Sequence, residues 1–551
     1  MQPQQSLRER ILRTLWGLTM WGTWIGTLCH RFSLTSAVIT VGIFAILVGL
    51  TGLITRRPYF ACSLATLILL GLTLLNKAKG FFWHETLFFS DFKLFLDPSN
   101  TETVLHYPWA LALFVVLLIV FLVIGVLTFR HAKFERRVRL PALLFALWGM
   151  LFTNWQLEDG QSRWLQSLPK GMNVLTNLVM SANIPYQNPA DKISSTSEAF
   201  RAAQSQLPPS DIHEAAQSLT LPNIVILLQE STFNPALYQD VQGGLPTLGM
   251  FAPNDRQTEG LLRVQTYGGA TWRSEFAALT GISSEEFAPA GGSVFYSAVF
   301  HLNTSLFREL KRYGYESYLL TPFNPGAYNA GSAYEAMGID HIVQPQDYGY
   351  PAAKRSNLWT IRTADMLKYA QQILSEKGKH PKVIFALTMR EHGPYHNREP
   401  NAPQLHVATG ADAESISNYT ARLREADEGV MAFENWVKTN PERTLFVRFG
   451  DHQPAITIAS GYKTALPNAQ RLTHFALMDN QLKTTRNYPV LDLVYLPGLV
   501  LERLQGKPSE AFQANIDARR LLNGAFEDAS DSALRDSYRA YLFKDLGIAA
   551  H

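Results

Sequence analysis

Long apolar runs are concentrated in the first 155 residues of this 551-residue chain, and this asymmetry constrains the fold more than any other feature. A helix needs about 20 mostly apolar residues to cross a bilayer. Candidate spans run at 11–29, 35–54, 58–76, 108–129 and 139–155. The sequence therefore predicts an N-terminal transmembrane domain of five helices over residues 1–155.

Basic residues in the short connections between these runs predict their orientation, because cytoplasmic loops carry an excess of Lys and Arg. Such residues precede the first run, separate the second from the third, and separate the fourth from the fifth. They are Arg8, Arg10, Arg13, Arg56, Arg57, Arg130, Lys133, Arg136, Arg137 and Arg139. With five spans all three clusters fall on one side. We expect a multi-pass protein of a bacterial inner or plasma membrane with a cytoplasmic N-terminus, and everything after residue 155 in the periplasm or outside the cell.

The first run could instead be a signal peptide, but no small-residue cleavage site follows it and more apolar runs come directly after. The loop at 77–107 is rich in Phe, which is typical of an aromatic belt at the membrane interface or of a re-entrant segment that presents a lipid head group.

Residues 156–220 are predicted to connect the membrane domain to a second domain. Apolar residues recur at near-helical spacing between 164 and 180, which predicts an amphipathic helix on the outer leaflet. The Ser/Ala/Gln/Pro-rich stretch from 188 to 220 is typical of a linker.

From residue 221 to the end, short apolar runs of strand type alternate with amphipathic helices. The runs at 224–228, 383–387 and 444–447 are predicted strands, and 306–313 and 419–437 are predicted helices. This alternation predicts an α/β domain with a mainly parallel central sheet. In such sheets the functional site lies at the carboxyl ends of the strands.

Composition excludes several kinds of site in this second domain. The chain has two cysteines, Cys29 and Cys62, and both lie in apolar runs. The second domain therefore contains no cysteine nucleophile, thiolate zinc site or disulfide. No stripe of basic residues interleaved with aromatics occurs, so we expect no nucleic-acid partner.

Polar residues follow the predicted strands where their ends should meet. Glu230 follows the first, His392 the second, and Asp451-His452 the third, while a Gly-rich turn leads into Thr271. Two carboxylates and an imidazole suit Mn²⁺, Mg²⁺ or Zn²⁺. A threonine hydroxyl on such an ion becomes a nucleophile at neutral pH. Each motif alone is more often a loop hydrogen bond or a helix cap, and only their joint occurrence in this order favours a catalytic site.

Together these motifs resemble the lipoteichoic acid synthase and phosphoglycerol transferase branch of the alkaline phosphatase/sulfatase superfamily. The resemblance spans most of the chain. It is carried by the five-helix anchor, the segment 85–91, Glu230-Ser231, Thr271 with Ser274-Glu275-Phe276, His392-Gly-Pro and Gly450-Asp451-His452.

The resemblance implies roles for these residues. Glu230, Asp451, His452 and Thr271 would bind one divalent metal ion, with Mn²⁺ favoured over Mg²⁺ or Zn²⁺. Thr271 would attack a phospholipid donor and form a phospho-threonine intermediate, which a glycan or polymer acceptor then resolves. His392 would assist the attacking or leaving oxygen as a catalytic residue.

One departure from the family pattern concerns substrate binding. The family usually carries a Trp-Asn-Arg stretch; here Tyr328 and Asn329 fit, and Ala330 stands in place of the arginine. Arg273 or Arg390 could supply the missing charge, although either could equally be an ordinary surface arginine. His396 and His474 are further candidate contacts of the acceptor or phosphate, with a solvated or hydrogen-bonded histidine as the plainer interpretation.

The leading hypothesis is therefore a phosphoglycerol transferase that uses phosphatidylglycerol. A phosphoethanolamine transferase is the first alternative, although such enzymes usually carry disulfides in the soluble domain. A sulfatase-like phosphodiesterase is the second alternative. The threonine favours transfer over hydrolysis, because a phospho-threonine cannot release its group by elimination as a formylglycine adduct does. A non-catalytic membrane protein is disfavoured by the intact set of Glu230, Thr271, Asp451 and His452.

Overall fold

The structure, a computed structural model, describes residues 34–550 apart from 84–85, 102–104, 106–107, 167–172, 184–185, 239–240, 242–243, 289, 352–358, 406–412, 457–463 and 465. The chain forms two compact units. The first comprises Met1–Leu96 and Thr101–Pro185, and the second comprises Asp97–Asn100 and Tyr186–His551. The division predicted at residues 155 and 220 stays a prediction, and the predicted connector lies partly in the first unit, to Pro185, and partly in the second, from Tyr186.

Four helices of the first unit, within the described residues, are long and apolar enough to cross a membrane. They correspond to four of the five predicted spans, and the remaining prediction at 11–29 lies outside the described residues. The helices of this unit are α1 (Leu34–Thr55), α2 (Pro58–Trp83), α3 (Asp91–Leu96), α4 (Pro108–His131), α5 (Arg139–Gln166) and α6 (Val174–Asn183).

Helices α1 and α5 approach closely because small residues lie where they meet. A Cβ atom added to Gly49 would lie 2.6 Å from the carbonyl oxygen of Ala142, and one added to Gly149 would lie 2.5 Å from that of Gly42. Small residues allow such close packing between helices that have no hydrophobic effect to drive their association in lipid.

The amphipathic helix predicted at 164–180 falls on two helices, because residues 164–166 end α5 and residues from Val174 onward form α6. Its residues Val174, Leu175 and Leu178 are buried with Phe44 and Leu69 of the neighbouring helices. The side chain of Asn173 accepts a hydrogen bond from the Thr176 amide at 2.9 Å and so caps the first turn. In the structure this helix packs against the other helices of its unit. Its position on the outer leaflet stays a prediction.

The second unit is built on an eight-stranded sheet in the order β4-β3-β5-β1-β6-β7-β2-β8. Every strand pair is parallel except the two that involve β7, so the prediction of a mainly parallel sheet is confirmed. The strands are β1 (Asn223–Gln229), β2 (Thr258–Arg263), β3 (Glu316–Leu320), β4 (His341–Val343), β5 (Lys382–Leu387), β6 (Thr444–Gly450), β7 (Leu472–Asp479) and β8 (Asn487–Asp492).

The three strongest predicted strands became β1, β5 and β6. Along β1, Ile224, Ile226 and Leu228 enter one apolar core, whereas Val225 and Leu227 enter the other. Successive side chains of a strand point to opposite faces, and an uninterrupted apolar run therefore requires cover on both.

Helices and loops supply that cover. The predicted linker at 188–220 holds the first two helices of this unit. Its helices are α7 (Glu198–Ser205), α8 (Asp211–Ala216), α9 (Thr271–Thr280), α10 (Leu306–Arg312), α11 (Ala330–Ala336), α12 (Thr363–Ser375), α13 (Ala413–Thr439), α14 (Leu496–Leu501), α15 (Glu510–Leu521) and α16 (Ser532–Ala540).

The register of the central strands brings their carboxyl ends together. Leu228 lies opposite Leu387 of β5, and Gln229 lies opposite Gly450 of β6. A Cβ atom on Gly450 would lie 1.8 Å from the carbonyl oxygen of Thr232, so only glycine permits this approach. The polar residues that follow β1, β5 and β6 consequently share one edge of the sheet.

Substituting Leu227 with Ala should destabilise the second unit, because this fully buried side chain packs in the centre of the sheet. We expect a loss of about 2–5 kcal/mol in the free energy of unfolding, measured by thermal or denaturant unfolding of the purified protein. The exposed Leu466 offers a matched control, and L466A should change the free energy of unfolding by less than about 0.5 kcal/mol. Equal losses in the two variants would contradict the assignment of the core.

Candidate metal centre and nucleophile

Four possible ligand atoms converge at the carboxyl ends of β1 and β6. The Nε2 atom of His452 lies 3.4 Å from Glu230 Oε1, 3.3 Å from Asp451 Oδ2 and 3.5 Å from the Thr271 hydroxyl oxygen. The Thr271 hydroxyl also donates to Glu230 Oε2 at 3.1 Å. Among the described residues, Glu230, Asp451 and His452 are the one group of three acidic or histidine side chains close enough to hold a metal ion.

The backbone around each strand end holds these side chains in place. Asp451 Oδ1 accepts hydrogen bonds from the Ser231 and His452 amides, both at 2.7 Å. The Ser231 hydroxyl donates to Glu230 Oε1 at 2.8 Å. The Nδ1 atom of His452 lies 3.1 Å from the Gln453 carbonyl oxygen, so Nδ1–H donates there and the Nε2 lone pair faces the carboxylates.

The buried electrostatics of this cluster fit a divalent cation. Asp451 Oδ2 is buried and has no hydrogen-bond donor within the described part of the chain, and it lies 3.3 Å from Nε2 of His452, which is also an acceptor. Burial raises the pKa of Glu230 to about 7, with the neighbouring Asp451 adding to the effect, and burial likewise raises the pKa of Asp451 to about 7. Burial also lowers the pKa of His452, which keeps the ring neutral. A divalent ion would favour the ionised form of both carboxyl groups beside the neutral imidazole, and this donor set is compatible with Mn²⁺, Mg²⁺ or Zn²⁺.

Thr271 is the first residue of α9, and the preceding turn sets its position. Gly268, Gly269 and Ala270 all have positive φ angles, of 69°, 153° and 64°. The Gly268 amide donates to the Gln453 carbonyl at 2.9 Å, which ties the turn to the residue beside His452. The hydroxyl therefore lies among the metal-ligating atoms and at the amino end of a helix, where backbone N–H groups favour a phosphate.

His392 borders the same cluster. Its Nε2 lies 4.0 Å from Glu230 Oε1, and its Nδ1 lies 2.7 Å from the Gly393 carbonyl oxygen. The ring packs edge-on against Trp359, with 4.8 Å between the ring centroids. The geometry leaves Nε2 directed toward the carboxylates, at a distance suited to exchange a proton with a group bound between them.

Sequence reasoning missed several residues that support the ligands. The Thr388 hydroxyl accepts a hydrogen bond from the Glu230 amide at 3.1 Å and donates to the buried Glu391 at 2.7 Å. Glu391 also accepts from the Thr363 hydroxyl. Thr388 directly follows β5, so its position after a strand was a usable signal. Thr363 lies on α12, and only the fold brings it here.

The other missed group lies on α9. The Ser274 hydroxyl donates to the Asp451 carbonyl oxygen at 2.6 Å. Glu275 is buried, which raises its pKa to about 7, and it accepts hydrogen bonds from the hydroxyls of Tyr328 and Tyr334. Helix α9, which begins with Thr271, is thus held to the end of β6 on one side and to two tyrosines on the other.

Of the predicted substrate contacts, Tyr328 lies beside the nucleophile helix. Its hydroxyl donates to Glu275 at 3.1 Å and its ring lies 5.6 Å from that of Trp272, the residue after Thr271. The Asn329 side chain is bonded to the Phe295 carbonyl oxygen at 2.6 Å.

The two predicted arginines are engaged by protein groups. Arg273 is buried, donates to the Ser284 hydroxyl at 2.9 Å and lies 3.8 Å from Glu285. Arg390 forms a bidentate pair with Glu399 at 3.0 and 2.6 Å and lies 3.4 Å from Glu425. These contacts balance the charge that either arginine would bring to a phosphate.

The two remaining predicted histidines lie elsewhere. His396 is exposed on the loop that follows His392. His474 lies on β7, with Nδ1 3.4 Å from Arg448 and its ring packed edge-on against Phe251. Burial and the Arg448 charge hold the pKa of His474 well below its usual range, which is typical of a histidine packed in the fold.

Comparison with known proteins identifies the class to which this fold and site belong. Residues 222–503 match the sulfatase family. The chain belongs to the sulfatase family, within the alkaline phosphatase superfamily.

Three proteins illustrate the similarity. An uncharacterised protein of Haemophilus influenzae is 33% identical over 92% of this chain and 94% of its own length. A putative cyclic β-1,2-glucan modification protein of Rhizobium meliloti is 24% identical over 76% of this chain and 67% of its own length. The structure of the phosphoglycerol transferase GacH of Streptococcus pyogenes, in complex with sn-glycerol-1-phosphate, is similar with a TM-score of 0.51 and 15% identity, over 65% of this chain and 94% of that one.

Replacing one metal-ligating carboxylate should empty the metal site. In Asp451→Asn and in Glu230→Gln we expect bound metal to fall below about one tenth of the wild-type value, measured by elemental analysis after loading with Mn²⁺. Glu376→Gln, which changes an exposed side chain, should bind metal like the wild type. Undiminished metal in either of the first two variants would refute the proposed ligand set.

Proposed function

We propose that this protein is a membrane-anchored phosphoglycerol transferase. It moves a phosphoglycerol group from phosphatidylglycerol to a glycan or polymer acceptor at the outer face of the membrane. The observation that carries the proposal is the Thr271 hydroxyl, which lies 3.1 Å from Glu230 and 3.5 Å from His452 at the start of α9. A hydroxyl among metal-ligating atoms is suited to attack phosphorus.

In the first half-reaction, Thr271 Oγ attacks the phosphorus of the donor lipid. A bond forms between Oγ and phosphorus, and the bond between phosphorus and the glyceride oxygen breaks. The proton lost by Thr271 ends on the released diacylglycerol, with His392 as the group placed to deliver it. A divalent ion bound by Glu230, Asp451 and His452 would lower the pKa of the hydroxyl and stabilise charge on the phosphoryl oxygens.

In the second half-reaction, an acceptor hydroxyl attacks phospho-Thr271. His392 takes its proton, the new phosphodiester forms, and Thr271 Oγ leaves and regains a proton, which restores the enzyme. Transfer is favoured over hydrolysis because the intermediate is a stable phosphate ester until a hydroxyl is bound beside it.

The related proteins support both substrates. GacH is a phosphoglycerol transferase with sn-glycerol-1-phosphate bound, which supports the transferred group. Two relatives in Rhizobium meliloti are named for glucan modification and for capsular polysaccharide biosynthesis, which supports a glycan acceptor.

A phosphoethanolamine group is the second candidate, because Ala330 replaces the arginine of the phosphoglycerol transferases and Arg273 and Arg390 are engaged by protein partners. The soluble half has no cysteine with which to build the disulfides usual in phosphoethanolamine transferases, so phosphoglycerol remains the leading candidate.

Incubating the purified protein and Mn²⁺ with labelled phosphatidylglycerol, or in parallel with labelled phosphatidylethanolamine, tests the donor. We expect diacylglycerol from the first lipid, and head-group label on Thr271 when no acceptor is added. Release from phosphatidylethanolamine alone would replace the proposal by the second candidate.

The same assay tests the nucleophile. Thr271→Ala should lower diacylglycerol release by about 10³-fold or more, because the variant lacks the hydroxyl that lies 3.1 Å from Glu230 and 3.5 Å from His452. Thr439→Ala, on the surface of α13, should retain full activity. Undiminished release by Thr271→Ala would exclude Thr271 as the nucleophile.

A further inference from the structure

The tetrapeptide Asp97–Asn100 belongs to the second unit, although the sequence places it between two helices of the first, α3 and α4. The tetrapeptide is therefore part of the unit that contains Thr271. It lies about 90 residues before Tyr186, where the main segment of that unit begins.

Side chains of this tetrapeptide bind two loops of the second unit. Asp97 Oδ2 accepts a hydrogen bond from the Tyr296 hydroxyl at 2.9 Å. The Ser99 hydroxyl bonds to the Gly326 carbonyl oxygen, and Asn100 Oδ1 accepts from the Tyr328 amide at 2.8 Å. Asp97 Oδ1 also accepts from the Ser99 amide at 3.0 Å, which closes the tetrapeptide into a tight turn.

The loop held by Asn100 has an uncommon backbone. Tyr328 and Asn329 are consecutive residues with positive φ angles, 41° and 61°. A side chain disfavours this conformation, and it persists only when the surroundings determine it. The Tyr328 amide donates to Asn100 and the Asn329 side chain donates to the Phe295 carbonyl oxygen, and both bonds help to hold the loop in this conformation.

The side chain of Tyr328 connects this loop to the candidate site. The Tyr328 hydroxyl bonds to Glu275 and its ring packs on Trp272, both on the helix that begins with Thr271. Asn100 accepts a hydrogen bond from the Tyr328 amide, and this contact links it to the side chain that bonds to Glu275.

We infer that Asn100 is a positioning residue, which holds Tyr328 in the orientation that binds the donor head group. The inference rests on the proposed function for the identity of the donor. It makes the segment between two predicted membrane spans a necessary part of the catalytic unit.

Kinetics of the full-length protein test this inference. In Asn100→Ala we expect the KM for phosphatidylglycerol to rise about tenfold, with kcat within about twofold of the wild type. A merely structural role would reduce the fraction of active protein, and so lower kcat at an unchanged KM. Bound metal should be unaffected, because the ligands keep their own hydrogen bonds.

Matched variants separate positioning from a general effect. Asn100→Asp keeps an acceptor oxygen for the Tyr328 amide and should restore a KM near that of the wild type. Asn254→Ala, which removes a similar side-chain bond to a backbone amide at an exposed position, should leave KM and kcat unchanged. Tyr328→Ala should raise KM, and adding Asn100→Ala to it should raise KM no further.

Several outcomes would overturn the inference: an unchanged KM in Asn100→Ala, a fall in kcat alone, loss of metal or of folded protein in that variant, or additive effects in the double variant. Failure of the wild type to release diacylglycerol from phosphatidylglycerol would instead count against the proposed function. The same KM comparison is then made with the chromogenic phosphodiester bis-p-nitrophenyl phosphate, which requires no assumption about the donor.

Discussion

The close approach of β1 and β6 is the constraint on which the rest of the second unit depends. Gln229 lies opposite Gly450, and a side chain at Gly450 would collide with the Thr232 backbone. This contact places Glu230 and Asp451 beside each other although more than 200 residues separate them. The buried Arg448 of β6 also fixes the register, because it pairs with Glu434 and a slip by one residue would turn it to the opposite face of the sheet.

The close approach of β1 and β6 has an electrostatic cost, because it buries the carboxyl groups of Glu230 and Asp451, whose pKa values rise to about 7. Backbone amides satisfy one oxygen of Asp451, while its other oxygen faces the acceptor nitrogen of His452. Buried acidic groups of this kind are costly without a compensating positive charge. The buried carboxyl groups that destabilise the metal-free protein therefore make the site suited to bind a cation. The Thr271 hydroxyl lies beside the same candidate ligand atoms.

Much of the fold and of the site could be predicted from local patterns. The apolar run at 224–228 required a strand covered on both faces, and its polar successor Glu230 then had to lie at the carboxyl edge of a mainly parallel sheet. The substrate contacts could not be predicted in this way. Arg390 follows a strand as Glu230 does, but its guanidinium group pairs with Glu399 and Glu425. The proximity of these two residues depends on how the loop and α13 pack. His474 likewise has the chemistry of a site residue and is packed against Arg448 instead.

The sequence by itself determined the four described helices that are long and apolar enough to cross a membrane, the alternation of strands and helices, and the residue types that follow each strand, because these depend on hydropathy and on periods of a few residues. Only the tertiary structure decided that helix α6 packs among the membrane helices, that Thr388 and Glu391 support Glu230, and that Asp97–Asn100 joins the second unit. Each of these depends on contacts between residues far apart in the chain. A hydrogen bond such as that from the Tyr328 amide to Asn100 spans 228 positions and leaves no periodic trace in the sequence.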